Sequence, residues 1–136
     1  MIRQVEFELP ACRKGIHLVT SGILSRLGTL PDKGLLHIFL KHTSAALTLN
    51  ENADPSVRRD MESFMNQMVP ESHSRYEHSL EGPDDMPAHI RSSLFGQSLT
   101  IPVTNGHLNL GTWQGIYLCE FINDGGPRSF VATIFA

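Results

Sequence analysis

Seven histidines in 136 residues, together with acidic side chains at turn positions, are the groups in this chain best suited to chemistry. Imidazole and carboxylate both bind zinc and other transition ions, and both serve as general acids and bases. Three imidazoles stand out by position: His42 following an apolar strand, His78 in a long aperiodic stretch, and His89 near the start of a helical pattern beside Asp85. A strand end, a loop and a helix can converge, so His42, His78, His89 and Asp85 form a candidate site for a divalent metal ion. Mg²⁺ and Zn²⁺ both stay open. The spacing is not a compact ligand motif such as H-E-x-x-H. His17, His37, His73 and His107 fit simpler structural or surface roles.

A second polar group is Asn50-Glu51-Asn52-Ala53-Asp54. Asp54 reads as a helix cap before Pro55, which leaves Asn50 and Glu51 without a structural reason. A carboxylate flanked by amides suits metal or hydroxyl binding. Thr112-Trp113-Gln114 lies between Gly111 and Gly115, where backbone can approach a ligand closely and an indole can stack on a ring. Glu120 shares a strand face with Leu118 and Ile122, and an inward carboxylate is costly without a cation. Glu51, Gln114 and Glu120 are therefore the candidate catalytic groups. Asn50, Asn52, Thr112, Trp113 and Arg58 are the candidate substrate contacts, Arg58 for phosphate. Ser44 follows His42 by two residues, but no G-x-S-x-G elbow surrounds it, which disfavours a serine nucleophile.

The elements that must position these groups alternate. Residues 2 to 9 have the period-two pattern of a half-buried strand. A strand or loop over residues 15 to 20 leads to a short helix capped by Thr20 or Ser21 and stopped at Gly28. Leu35 to Leu40 reads as a strand covered on both faces, and Ala45 to Leu49 as a second strand that pairs with it or extends it through a bend at Thr43-Ser44. Val57, Met61, Phe64, Met65 and Met68 recur at helical spacing, with Arg58 and Arg59 outward. A loop over residues 70 to 88 precedes a helix from Ala88 to Leu94, whose Arg91 reads as a solvated charge. Strands follow over residues 98 to 103, from Leu108, over 116 to 122 and over 128 to 135, with Asn105-Gly106 marking a hairpin. This order predicts one α+β domain over residues 1–136, a mostly antiparallel sandwich-like sheet with helices on one side.

Composition sets the outer limits. With 40% hydrophobic and 18% charged residues the chain is globular, and a net charge of -3 gives no electrostatic footprint for nucleic acid or an anionic membrane. A small molecule is the expected partner. Cys12 and Cys119 are isolated, no secretory segment opens the chain, and no apolar run reaches the roughly 20 residues of a membrane span. A cytoplasmic protein with reduced thiols is the expectation.

His42-Thr43-Ser44-Ala45-Ala46, Asn50-Glu51-Asn52-Ala53-Asp54, Glu81-Gly82-Pro83-Asp84-Asp85-Met86-Pro87-Ala88-His89 and Gly111-Thr112-Trp113-Gln114-Gly115 occur in that order. With these motifs the chain resembles the YjbQ-like family over nearly its whole length. The resemblance implies a compact α+β fold, assembly as a homotrimer, and a secondary thiamine-phosphate synthase activity joining hydroxymethylpyrimidine diphosphate to thiazole phosphate. Three readings stand side by side: a metal-dependent transferase of that kind, a metal-dependent hydrolase or lyase, and a non-enzymatic trimeric module that binds a small ligand. The absence of a glycine-rich phosphate loop weighs against the first, and the histidine-rich ligand set suits zinc better than Mg²⁺.

Overall fold

Two antiparallel sheets face each other across the main core of the computed structural model, which describes residues 1–72 and 75–136. In chain order the elements are β1 (Ile2–Leu9), β2 (Gly15–Leu18), α1 (Thr20–Leu24), β3 (Lys33–Leu40), β4 (Ala45–Glu51), α2 (Pro55–Met68), α3 (Asp85–Phe95), β5 (Ser98–Thr104), β6 (His107–Leu108), β7 (Gln114–Glu120) and β8 (Arg128–Phe135). One sheet has the order β1-β8-β3-β5-β6 and the other β2-β7-β4. This is the α+β antiparallel architecture expected from the sequence. His73 lies outside the described residues.

Period-two patterning decides which side chains fill the space between the sheets. Leu36, Ile38 and Leu40 of β3, Ile101 and Val103 of β5 and Phe130, Ala132 and Ile134 of β8 meet Ala45 and Leu47 of β4 and Ile116 and Leu118 of β7. The outer face of the three-stranded sheet, with Ala46, Tyr117 and Cys119, is covered by Ala88 and Phe95 of α3 and Met61 of α2. That is why β7 is buried on both faces from Gly115 to Glu120. The layers are therefore sheet, sheet, helix.

Several local expectations change. β4 does not pair with β3 but crosses to the other sheet, where Ala45 lies opposite Glu120 and Glu51 opposite Gln114. The bend at Thr43-Ser44 is thus a passage between layers. β3 is covered on one face only, because Leu35 and Phe39 remain partly exposed on the outer face of the five-stranded sheet. On α2 only Met65 is buried, while Phe64 and Met68 face outward. Thr20 is not a cap but the first residue of α1, and its Oγ1 accepts the Ile116 N–H at 2.9 Å. Arg91 is buried, not solvated, and its Nη2 donates to the Val69 carbonyl at 2.6 Å.

Asn105 and Gly106 both have positive φ, 54° and 78°, as the predicted hairpin turn requires. β1 pairs along its whole length with β8, joining the first strand to the last. No helix among the described residues is long and apolar enough to cross a membrane.

Candidate metal centre and a second polar cluster

The first two turns of α3 place Asp85 and His89 four residues apart on one helix face, the spacing at which side chains meet. The preceding loop returns His78 to the same point. Asp85 Oδ2 lies 2.6 Å from His78 Nε2 and 3.1 Å from His89 Nε2. The two rings are tilted with centroids 5.3 Å apart, and one donor atom from each of the three residues falls within 4.8 Å of the others. His78 is the most exposed of the three, so the cluster opens to solvent.

The other ring nitrogen of His89 settles its orientation. Nδ1 lies 2.9 Å from the Thr43 carbonyl, which can only accept, so Nδ1 carries a proton and donates it. In the neutral ring Nε2 then presents a lone pair to Asp85 Oδ2. Two acceptors facing each other at 3.1 Å need a proton or a metal cation between them. An imidazole tied through Nδ1–H to a backbone carbonyl, with its free nitrogen beside a carboxylate, is the usual support of a metal-binding histidine. The donor set of two imidazoles and one carboxylate fits a divalent transition ion.

His42, expected in the same cluster, is not part of it. Its Nε2 accepts the Ser129 N–H at 2.8 Å, and its Nδ1 lies 3.2 Å from Arg128 Nη1, so neither nitrogen is free for a metal. Burial first, and then the Arg128 guanidinium, lower its pKa from the ordinary 6.5. Glu120 is likewise unavailable as a general base. Its side chain is fully buried, and its two oxygens accept Arg128 Nε at 2.7 Å and Nη2 at 2.5 Å. The cation that an inward Glu120 demanded is Arg128, itself only 3% exposed.

The remaining candidates gather at the opposite end of β4 and β7. Six residue steps separate Ala45 from Glu51, roughly 20 Å of strand. Here Glu51 Oε2 accepts the Asp54 N–H at 3.1 Å and Asp54 Oδ1 accepts the Ser56 N–H at 2.9 Å, which together cap α2. Both hydrogen bonds from Ser56, backbone first, lower the Asp54 pKa. Asn50 Nδ2 donates to Met61 Sδ, and Asn52 Nδ2 to the Gln114 carbonyl. Gln114 Oε1 accepts the Gly111 N–H, closing the Thr112-Trp113 turn. Trp113 is 62% exposed and is not a core residue. Arg58 sits over the Tyr117 ring at 5.7 Å and lines a cavity of about 540 Å³ with Arg13, Lys14 and His17.

Sequence reasoning missed Arg128 and Ser92. A signal for Arg128 was present, because an inward Glu120 calls for a cation and Arg128 opens the very next strand. Ser92 Oγ donates to the Ala45 carbonyl at 2.7 Å, a buried tie of α3 to β4 that nothing in the sequence marked.

Comparison with known proteins agrees with this architecture. Residues 5–136 match the family model described as UPF0047 protein YjbQ-like. The UPF0047 protein YjbQ of Escherichia coli O157:H7 is 52% identical over 96% of both chains. YugU of Bacillus subtilis is 46% identical over 71% of this chain and 68% of its own. Among solved structures, a YjbQ/UPF0047 protein of Clostridium acetobutylicum superposes with a TM-score of 0.82 at 35% identity, covering 96% of this chain and 99% of that one. A conserved hypothetical protein of Thermus thermophilus also gives 0.82, at 32% identity over 93% and 97%. The chain belongs to the UPF0047 YjbQ-like family.

Proposed function

We propose that this protein is a metal-dependent enzyme acting on a small substrate, with His78, Asp85 and His89 as the cation ligands. The observation that carries the reading is Asp85 Oδ2 shared by two imidazole Nε2 atoms, one of them held by its Nδ1–H on the Thr43 carbonyl. Three protein ligands at a solvent-open position are the pattern of catalytic rather than structural sites. A divalent ion bound there would supply Lewis acidity toward an anionic oxygen of the substrate. The chain's own contribution is to aim His89 Nε2 at the Asp85 carboxylate, through its Nδ1–H on the Thr43 carbonyl, and to border the centre with space. A cavity of about 320 Å³ adjoins His78, lined among others by Glu71, Ser72, Tyr76 and Met86.

For the reaction, the family resemblance supports joining of hydroxymethylpyrimidine diphosphate to thiazole phosphate, in which the cation would face the diphosphate. The donor set favours a second reading, a hydrolase, because two imidazoles suit zinc better than Mg²⁺. The Glu51–Gln114 cluster lies too far along β4 to reach the same small molecule within one chain. Head-to-tail contacts join different patches of neighbouring copies, and in the proposed homotrimer that end of one copy lies against the His89 end of the next. Of that cluster, the exposed Trp113 indole is the proposed substrate contact across such an interface, since Glu51, Gln114, Asn50 and Asn52 are bonded to neighbouring groups of their own chain.

Metal content and affinity of wild type, His78→Ala, Asp85→Asn, His89→Ala and His42→Ala test the centre. Retained metal in wild type and His42→Ala, with loss in the other three, supports it; no metal in any of them overturns it. Tightly held zinc directs assays to hydrolysis, and weak Mg²⁺ dependence to the diphosphate reaction. Sedimentation of the purified protein tests the trimer.

A further inference from the structure

The buried Glu120–Arg128 pair sits one short loop away from the metal centre, and what it touches is that loop. Arg128 Nε and Nη2 bind the two Glu120 oxygens, Nη2 also reaches the Ser44 carbonyl at 3.3 Å, and Nη1 abuts His42. His42 in turn is pinned by the Ser129 N–H. Residues 42 and 44 are thus both fixed from β8, one by its ring and one by its carbonyl. Between them is Thr43, whose carbonyl accepts from His89 Nδ1. We infer that Glu120 and Arg128 are positioning residues for His89, setting its tautomer and the aim of its Nε2 through the passage from β3 to β4. This rests on the proposed role of His89 as a cation ligand.

Three further features agree. Ser92 Oγ bonds the Ala45 carbonyl, so α3 is tied to the same passage at two points, by side chains three residues apart to carbonyls two residues apart. Any rotation of residues 42 to 44 therefore moves the His89 acceptor relative to a helix that is otherwise held. Gly125 closes tightly over the pair: a Cβ there would lie 2.7 Å from Arg128 Nη2 and 2.9 Å from Glu120 Oε1. The choice of charge also points to geometry, since well-packed apolar residues often replace a buried ion pair without loss of stability. What they cannot replace is a planar guanidinium whose donors reach both oxygens of a carboxylate and a backbone carbonyl at once; lysine has no such fork.

The test uses the whole chain in its metal-free and zinc-titrated forms, comparing wild type with the double variant Glu120→Leu/Arg128→Met and with Arg128→Lys. The first readout is the ¹⁵N spectrum of the His89 imidazole without metal, assigned by its disappearance in His89→Gln. Wild type should show a single tautomer protonated at Nδ1, and the variants a mixture of both. The second readout is zinc affinity by competition with a chelating dye, which should fall by about 10- to 100-fold in the variants, as for other supports of ligand histidines. A double variant that melts like wild type yet keeps the wild-type His89 spectrum and zinc affinity overturns the inference. If the double variant does not fold, Arg128→Lys decides it by the same two readouts. Failure of wild type to bind zinc would count against the metal reading alone, because the tautomer measurement judges the positioning without any metal.

Discussion

The two ends of β4 and β7 carry similar side chains and use them differently. At the Glu51–Gln114 end, the carboxylates and the Gln114 amide turn to nearby backbone: Glu51 to the Asp54 amide, Asp54 to the Ser56 amide, Gln114 to the Gly111 amide. These shape turns and cap α2. At the Ala45–Glu120 end the contacts form two tiers, a buried ion pair beneath and an open His-Asp-His cluster above, joined by the passage through Thr43. A polar-rich motif becomes a candidate site where backbone has not already claimed its acceptors. That distinction can be broken by experiment.

The largest effect should come from Glu120→Ala, which strands the Arg128 guanidinium in the core and costs about 3–5 kcal/mol. Glu51→Ala, at the other end, loses a partly exposed bond to the Asp54 amide and costs about 1 kcal/mol or less. Urea unfolding of both measures the contrast, and equal losses would erase it. Next in size, His89→Ala should lower divalent-metal affinity by more than about 100-fold, whereas Gln114→Ala leaves it unchanged; calorimetric titration reads both.

The pH dependence is smaller. His42 has a folded pKa below its ordinary 6.5, so the folded state prefers the neutral ring. Its contribution is present in full above about pH 6.5 and is lost as pH falls through the lowered folded pKa. A protonated ring would oppose both the Ser129 N–H and Arg128. Stability of wild type should therefore decline below about pH 6.5 more steeply than that of His42→Gln, as followed by chemical denaturation across pH. Smallest of all, Trp113→Ala should shift the stability of dilute protein by no more than about 0.5 kcal/mol, as for exposed positions generally. A larger loss that grows with protein concentration would show that an assembly covers the indole.

Much of the fold was legible because burial follows period. Strands β1, β5, β7 and β8, the Asp54-Pro55 start of α2 and the Asn105-Gly106 turn all followed from pattern and turn chemistry. Which sheet β4 joins was not legible, since an apolar run does not say which partner it will pair with. That decision set Ala45 opposite Glu120 and Glu51 opposite Gln114. The convergence of His78, Asp85 and His89 was visible as residue types but not as geometry. The inward face of Glu120 was readable from alternation with Leu118, and its need for a cation pointed to Arg128 at the start of the next strand, although the pattern alone does not pair the two across the Asp124-Gly125-Gly126 turn. Phe64 and Met68 misled because helical spacing shows a face without showing whether anything covers it.

The pairing of β1 with β8 has a consequence for how the molecule comes into being. A strand made first must wait for the one made last, and β3 also pairs with β8, so the five-stranded sheet cannot close until residues 128–135 have emerged from the ribosome. Contacts of such long sequence separation make folding slow. During that interval the alternating face of β1, with Glu6 and Glu8 among its outward residues, stands as an open edge guarded by its own charge.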